Sequence, residues 1–372
     1  MLDKKKAANH KDANVQETVF KTKSANTLIE DARNKPPPKM LVGELIYENE
    51  QTILFASTNL GKSILAIQMA ISVSCGTDLD LGNGLILKNE VGKVSTLYFD
   101  FELSDRQFLK RIGNKVLPNN FYISKIERGK VLNGNPKQIF ELLKQEAESV
   151  GAKFIIVDNI SKIGNKLEEG DKAVEFMSAL WDLARHDNYT ILTIAHTPKR
   201  DRKEPITSDS ISGSSKLSQL ADSIIGINEF VSNKEGQVYI KQIKTRNDSI
   251  KYGKSKVICT NITQDDEGFV KHEMFSLSNE YEALHGNRGS ITDSLTQKMY
   301  SAAAYFYYGT YEKAALETEI KKSTLHQRVK SLETMNYKEW KTIAKMDKEA
   351  LLNAMKLHRP DENDLDQVDL KL

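Results

Sequence analysis

The sequence is poor in cysteine and has no long apolar run. Its 372 residues include two cysteines, Cys75 and Cys259, too few for a secreted disulfide framework and without the spacing of a zinc site. No run of about 18 consecutive apolar residues occurs, so no transmembrane helix is predicted. The basic N-terminus lacks the apolar stretch of a secretory signal. We therefore expect a soluble protein of the reducing cytoplasm, with no membrane partner.

A dominant sign of charge is also missing. Lys and Arg number 53 and Asp and Glu 51, giving a net charge of +2, which excludes a uniformly basic, histone-like nucleic-acid binder. The charges are unevenly placed, however. Residues 1–39 hold nine basic against five acidic residues and end in a proline run, whereas residues 359–372 are mainly acidic. We predict that both segments are mostly disordered, with a short helix around 28–33 in the first. The first would be an arm that either solubilises the chain or contacts nucleic acid.

The hydrophobic pattern changes twice between these two segments. From 40 to 278, short β-rich runs alternate with helix-period stretches, which predicts an α/β domain built on a mostly parallel, twisted sheet covered on both faces. After residue 222 the strands follow one another with only turns between them, so we expect an antiparallel extension at the sheet edge. Residues 279–292 are predicted to be a linker, and 293–358 a small helical domain with more basic than acidic residues.

The sharpest motif follows a β-run, opens an amphipathic helix and reads Ala56-Ser57-Thr58-Asn59-Leu60-Gly61-Lys62-Ser63. Strand, turn and helix N-terminus are the context of a Walker A phosphate-binding loop. Gly61 lets the backbone approach phosphates, Lys62 would reach the β- and γ-phosphates, and the Ser63 hydroxyl would ligate Mg²⁺. We therefore predict ATP and Mg²⁺ as ligands, contacted by residues 57–63. Ala56 replaces the first glycine of the strict pattern, which costs little if its φ is negative.

Polar residues also end three other predicted strands, and ligands of open α/β sheets bind at such strand ends. Glu102 is the predicted general base that polarises the attacking water, with Asp100 as a weaker candidate. Asp158 follows a strand that is apolar on both faces and is predicted to hold Mg²⁺ through a water. His196 is a predicted γ-phosphate sensor, although a lone histidine is more often structural.

Two cations, Lys244 and Arg246, lie at the end of a later predicted strand. Residues two apart in a strand point the same way, so both side chains could reach one anionic site. In a ring of subunits they would enter the neighbouring subunit's nucleotide site as lysine and arginine fingers. The alternative is a solvated strand end.

Taken in order, the segments ASTNLGKS, YFDFE, FIIVDN, TIAH and KTRN resemble the RecA-like ATPase core over roughly 40–277. They look most like the branch that contains plasmid RepA-type and DnaB-type hexameric helicases and their AAA_25-like relatives. The resemblance implies a ring, often hexameric, with ATP between subunits and single-stranded DNA in the central channel. It also implies the same roles for the loop, strand-end and finger residues named above.

The same resemblance gives two loops a predicted role in DNA binding. The loops that correspond to 164–172 and 198–215 face the channel in RecA-like rings. The second contains four cations, whose phosphate contacts would weaken steeply with salt: Lys199, Arg200, Arg202 and Lys203. A charged surface loop without a DNA contact is the alternative.

The C-terminal segment contains a helix, a short turn and a second helix that opens at Ser323, which resembles a helix-turn-helix. Leu325, Val329 and Leu332 form its apolar stripe and are predicted to leave Arg328 outside as a tentative DNA contact. A winged-helix oligomerisation or partner-docking module is the alternative.

These features together predict an ATP-hydrolysing, DNA-dependent motor of the RecA-like hexameric helicase type. It would serve the replication or mobilisation of a plasmid or other mobile element. Its expected partners are single-stranded or double-stranded DNA, other copies of itself, and replication or mobilisation proteins. The alternative is a regulatory or recruitment ATPase whose ATP-driven assembly presents a DNA- or protein-binding module without unwinding. A metabolic P-loop kinase is disfavoured, because neither a lid nor an acceptor pocket is evident.

Overall fold

The computed structural model describes most of the chain, namely residues 21–128, 130, 135–159, 170–197, 201, 204–211, 215–231, 236–285 and 295–358. Residues 1–20 of the predicted basic arm lie outside these ranges, as do the acidic tail and the second half of the predicted linker. So do most of the loop 164–172 and four predicted DNA contacts, Lys199, Arg200, Arg202 and Lys203. The described part of the arm is not all disordered, because it is helical over 25–33, where a short helix was predicted. No helix within the described ranges is long and apolar enough to cross a bilayer.

Helices and strands alternate as far as β10, three further strands follow, and the chain continues with helices alone. The elements up to the middle are α1 (Ala25–Arg33), β1 (Met40–Val42), β2 (Ile46–Tyr47), β3 (Gln51–Ala56), α2 (Lys62–Cys75), β4 (Leu79–Asp80), β5 (Ile86–Leu87), β6 (Thr96–Asp100), α3 (Asp105–Ile112), β7 (Phe121–Ser124), α4 (Pro136–Ser149), β8 (Phe154–Asp158) and α5 (Gly170–His186). They are followed by β9 (Thr190–His196), α6 (Ser215–Leu220), β10 (Ser223–Glu229), β11 (Gln237–Lys244), β12 (Val257–Gln264), β13 (Val270–Ser278), α7 (Glu280–His285), α8 (Leu295–Tyr308), α9 (Tyr311–Thr318), α10 (Lys322–Met335), α11 (Tyr337–Ile343) and α12 (Lys348–Leu357).

Nine strands form one sheet in the order β13-β12-β11-β10-β3-β9-β8-β6-β7. The strands from β10 to β7 run parallel, and β11 to β13 continue antiparallel beyond β10. This confirms the predicted α/β fold and its antiparallel extension. The register pairs Ala56 with His196 and Asp100 with Asp158, so the strand ends of the predicted site meet at one edge. We call it the carboxyl edge of the sheet, and the opposite edge the amino edge.

Apolar clusters cover both faces of the sheet, because successive residues of a strand point to opposite sides. On one face Phe55 of β3 belongs to a cluster with Phe176 of α5, and on the other Leu54 belongs to a cluster with Leu65 and Met69 of α2. All six residues of β3 are buried. The strand that leads into the predicted phosphate-binding loop is thus held from both sides.

The β-rich runs of the sequence are all strands, with ends shifted by up to two residues; they lie at 52–56, 94–101, 154–158, 190–195, 223–227, 238–244 and 257–262. The helix predicted over about 62–75 is α2. The sequence pattern missed β7, β13 and two small hairpins, β1–β2 and β4–β5. Strand β13 was hidden because Lys271, His272 and Glu273 stand side by side and mask its alternation. Only the fold shows that His272 of this run is completely buried.

The structure corrects the start of the predicted linker 279–292, because residues 280–285 form α7, which contacts the sheet domain. Its Glu280 carboxylate accepts hydrogen bonds from the Ile206 amide (3.1 Å) and the Tyr239 hydroxyl (3.0 Å), and it pairs with Lys241. The amide of Val231 also donates to a carbonyl of α7, at 2.7 Å. These contacts are long-range in sequence, so local composition could not reveal them.

Residues 295–358 contain helices only, and α8 to α12 enclose an apolar cluster of their own. Helix α9 ends at Thr318, and the next residue, Glu319, adopts a left-handed backbone (φ 56°). Helix α10 begins three residues after Glu319. The order of a helix, a tight turn and a second helix agrees with the predicted helix-turn-helix. No strand that would form a wing occurs in 295–358.

The structure corrects the position of Arg328, which is buried at 6% exposure and is therefore unsuited to contact DNA. Residues three, four and seven positions apart share one face of a helix. Arg328 follows Leu325 by three positions and so falls on the same buried stripe as Val329 and Leu332. On α10 the exposed side chains include His326 and Lys330 instead.

Candidate functional site

The predicted phosphate-binding loop runs from the end of β3 to the start of α2. Ala56 still belongs to β3 and has no positive φ, as its substitution for glycine requires, whereas Asn59 (φ 66°) and Gly61 (φ 82°) are left-handed. The first intrahelical bond of α2 joins the Leu65 amide to the Gly61 carbonyl at 2.9 Å. The amides of residues 62–64 precede this bond and have no acceptor within the helix, which makes the helix start an anion site.

Lys62 is buried inside the curve of the loop. Its Nζ donates to the carbonyls of Ala56 and Ser57, both at 2.9 Å. Burial lowers the pKa of Lys62 to about 8, and the nearby carboxylates of Asp158 and Glu102 oppose that shift. A bound phosphate would add a further negative charge beside this ammonium group and hold it fully protonated.

Asp158 is a buried carboxylate, and only one of its two oxygens is hydrogen-bonded by the described residues. Its Oδ2 accepts a hydrogen bond from the Tyr98 hydroxyl, while its Oδ1 is buried and has no hydrogen-bond partner among the described residues. Burial raises the pKa of Asp158, and the neighbouring hydroxyls of Ser63 and Tyr98 oppose the rise. An incompletely satisfied buried acid beside a serine hydroxyl fits a divalent cation.

Mg²⁺ in particular fits these residues. It takes one or two oxygens from the protein and completes its shell with water and substrate phosphates. The described residues contain no group of three or more His, Cys, Asp or Glu that would form an all-protein metal site. Ser63 and Asp158 are therefore the residues that would hold Mg²⁺, as the sequence predicts.

Three side chains form a hydrogen-bonded line across the ends of β6, β8 and β9. The Asn159 Nδ2 donates to the Glu102 Oε2 at 2.7 Å and contacts the His196 Nε2 at 3.0 Å. An amide nitrogen only donates, so this Nε2 is the acceptor and the ring of His196 carries its proton on Nδ1. The exposed Glu102 carboxylate keeps a second oxygen for a water molecule.

Sequence motifs indicated Glu102 and His196 but missed Asn159, which is fully buried between them. The available signal was its place directly after the strand that ends in Asp158. An uncharged amide there attracts no attention until both of its neighbours are located. The same holds for Tyr98, which lies in the middle of a buried strand.

Asp100 is an organising residue rather than a base. Its Oδ1 accepts from the amides of Glu102 (3.1 Å) and Leu103 (2.8 Å), and its Oδ2 lies 3.3 Å from the Nζ of Lys125. The side chain is completely buried. Asp100 therefore stabilises the turn that contains Glu102. This agrees with the sequence-based prediction, in which Asp100 is a weaker candidate for the general base than Glu102.

Lys244 and Arg246 lie at the amino edge, away from the loop. Strand β11 runs antiparallel to β10 and pairs Lys244 with Ile224, near the start of β10. Lys244 donates to the carbonyls of Ser218 (2.8 Å) and Ala221 (2.7 Å). A strand of five residues separates the two edges by about 13 Å, at ~3.3 Å per residue. Neither cation can therefore act on the nucleotide of its own chain, and action on a neighbour's nucleotide stays a prediction.

The phosphate-binding loop, the buried acid beside a serine hydroxyl and the hydrogen-bonded glutamate all lie at the carboxyl edge of a parallel sheet. Together they define a RecA-like P-loop ATPase domain. The family comparison agrees with this class. Residues 16–202 match the AAA_25 family, described as an AAA domain. The match spans half of the chain, and the protein belongs to this family.

Two further comparisons concern whole proteins. A solved structure of a KaiC-like protein from the hyperthermophilic archaeon Pyrococcus horikoshii OT3 is similar at 16% identity and a TM-score of 0.44, over 64% of this chain and 98% of that one. No curated protein sequence gives a significant match. The RepA-type and DnaB-type branch indicated by the sequence motifs stays a prediction.

Proposed function

We propose that this protein hydrolyses ATP and couples hydrolysis to movement on DNA, as a ring-forming motor of the RecA-like helicase type. The observation that carries the proposal is the line of Glu102, Asn159 and His196 beside the phosphate-binding loop. Glu102 would accept a proton from the attacking water, and His196 would respond to the γ-phosphate through Asn159. Mg²⁺, when bound, supplies charge neutralisation at the β- and γ-phosphates.

Coupling to DNA is supported by where two loops begin. The predicted DNA-binding segments 164–172 and 198–215 follow Asn159 and His196 closely in the sequence, and both of these residues belong to the hydrogen-bonded line. The second loop contains the four cations of 199–203. A strand of DNA bound by these loops would shift Asn159 or His196 and so change the position of Glu102. A role in plasmid or mobile-element replication or mobilisation rests on the motif resemblance alone.

Turnover of ATP with and without single-stranded DNA tests the proposal. We expect measurable turnover in the wild-type protein, stimulation by DNA, and a loss of about a hundredfold or more for Lys62→Ala and for Glu102→Gln. Glu102→Gln should still bind ATP, because its side chain lies beyond the loop. Lys110→Ala, an exposed lysine of α3, is the matched control and should behave as wild type. A wild-type protein without turnover, or an active Lys62→Ala variant, would overturn the proposal.

The helix-turn-helix geometry of α9 and α10 favours a second function. In it, ATP binding drives assembly, and the assembled copies present this module to DNA or to a protein without unwinding. A strand-displacement assay separates the two functions. Displacement of a labelled strand supports the motor, whereas ATP-dependent assembly with no displacement supports the recruitment ATPase.

A further inference from the structure

A histidine of the antiparallel extension contacts the phosphate-binding loop. His272 of β13 is completely buried, and its Nε2 lies 3.0 Å from the Gly61 carbonyl oxygen. Its Nδ1 lies 2.9 Å from the Thr260 hydroxyl on β12. A carbonyl oxygen only accepts, so the Nε2 carries the proton and the Nδ1 accepts from Thr260. The ring is thus fixed in one tautomer and one orientation.

The backbone of the same residue is fixed as well. The side chain of Gln68, on α2, donates to the His272 carbonyl (3.1 Å) and accepts from the His272 amide (2.9 Å). One amide side chain therefore satisfies both backbone groups of this residue on a strand that ends the sheet. Hydrogen bonds of this kind dock the hairpin β12–β13 on the helix that begins with Lys62.

The approach of the hairpin to the loop leaves no room for a side chain at position 61. A Cβ on Gly61 would lie 2.6 Å from the His272 Nε2 and 2.8 Å from the Ile262 Cδ1. Glycine is thus required here for close contact with the hairpin as well as for its left-handed backbone. The hairpin β12–β13 therefore packs directly against the phosphate-binding loop at Gly61.

We propose that His272 is a positioning residue for nucleotide binding and hydrolysis, acting through the peptide group between Gly61 and Lys62. A peptide group is planar and trans, so its carbonyl and its N–H point in opposite directions. A bond from His272 that fixes the Gly61 carbonyl therefore also fixes the Lys62 amide, which faces the phosphate side. The inference rests on the proposed ATPase function.

A pKa shift and one further contact agree with this role. Burial lowers the pKa of His272 to about 4, so the ring is neutral near pH 7 and donates without bringing a charge into the loop. The tip of the same hairpin contacts the end of α3, where the Asn114 amide donates to the Glu267 carbonyl at 2.7 Å. Helix α3 starts three residues after Glu102. One hairpin therefore contacts both the loop and the helix that follows the predicted base.

Hydrogen exchange of the full-length protein without nucleotide tests the positioning role directly. In His272→Leu, which has no donor, amides of residues 61–64 should exchange about tenfold faster than in wild type, and the Kd for ATP should rise by a similar factor. His272→Gln can place an amide N–H near the Nε2 position and should keep both quantities within about threefold of wild type. Met274→Ala, on the same strand and buried away from Gly61, controls for lost packing.

Each outcome decides the matter. Wild-type exchange in His272→Leu, equal loosening in Met274→Ala at the same loss of Tm, or no rescue by His272→Gln would overturn the positioning role. The expected exchange pattern in a protein that binds no ATP would instead overturn the ATPase function and leave the His272 contact standing. Faster exchange and weaker binding in His272→Leu alone support both.

Discussion

Each of the two edges of the sheet has a buried aspartate, and the two aspartates differ in how fully their oxygens are hydrogen-bonded. At the carboxyl edge Asp158 is buried with one oxygen that no described residue satisfies. At the amino edge the equally buried Asp222 accepts from Arg185 (2.8 Å) and Arg246 (3.0 Å), and from the Gln51 amide (3.2 Å). A folded chain normally satisfies its buried charges. The edge that leaves an acid unsatisfied is the one built to receive a ligand, and the edge that satisfies its acid is built for the fold or for a neighbour.

The largest expected effect comes from removing the unsatisfied charge. Asp158→Asn should raise Tm, because burial disfavours the charged carboxylate and so raises the pKa of Asp158, and the amide carries no charge. The same change should lower ATP turnover by about a hundredfold or more, because Mg²⁺ loses its carboxylate. Calorimetry and a phosphate-release assay measure the two quantities. Loss of both stability and turnover would break the comparison between the edges.

At the amino edge, substitution of Arg246 is expected to change stability less than Asp158→Asn does, but to change ATP turnover strongly. Arg246→Ala should abolish turnover while ATP binding survives, if Arg246 acts in the nucleotide site of a neighbouring copy. Arg185→Ala is the matched control, since Arg185 also pairs with the Asp222 Oδ1 and is similarly exposed, at 44% against 38%. Both variants should lose a similar, modest amount of stability.

Turnover therefore separates the two arginines. Equal turnover in the two variants would mean that Arg246 only stabilises its own chain. Loss of ATP binding in Arg246→Ala would likewise contradict a role in trans. The binding measurement uses a fluorescent ATP analogue at a protein concentration where the wild type is assembled.

The smallest expected effect is on how the free energy of unfolding depends on pH, to which two buried groups contribute with opposite sign. Burial raises the pKa of Glu50, at the amino edge, to about 7. The folded state then binds the extra proton, so the stability from this group is complete below about pH 4.5 and is lost as pH rises through 7. The lowered pKa of His272, about 4, gives stability that is present above about pH 6.5 and lost as pH falls toward 4.

Urea unfolding between pH 5 and 8 separates these two contributions, each worth up to about 3 kcal/mol. Glu50→Gln should make the free energy of unfolding rise more steeply with pH between about 5 and 6.5. His272→Gln should make it fall more steeply with pH up to about 7. The wild-type curve should be flatter than either. Parallel curves for all three proteins would show that neither group titrates between the folded and unfolded states as described.

The sequence predicted those parts of the site whose chemistry is local. A strand, a turn and a helix start within 13 residues place Lys62 and Ser63, and a polar residue at a strand end marks Glu102, Asp158 and His196. The sheet order then brings these separate strand ends together, as open α/β sheets do. Fold class and nucleotide site follow from such short patterns.

What the sequence could not predict depends on distant contacts. His272 meets Gly61 across 211 positions of chain, on a strand whose alternation is masked by charged neighbours. Arg328 is polar but lies three positions from Leu325, and only the packing of α10 shows which side of the stripe is buried. Residues 244 and 246 share a side as expected, yet only the direction of β11 shows which edge they reach.

The Glu280 contacts have a mechanical consequence for the small helical domain. Helix α7 is the last described element before α8, so tension applied to the chain beyond α7 would reach this helix first. Its Glu280 carboxylate accepts from the Ile206 amide and also contacts Tyr239 and Lys241 of β11. A load on α7 would therefore reach the chain that follows β9 and strand β11 through the same carboxylate. Weakening the Glu280 contacts should loosen both together.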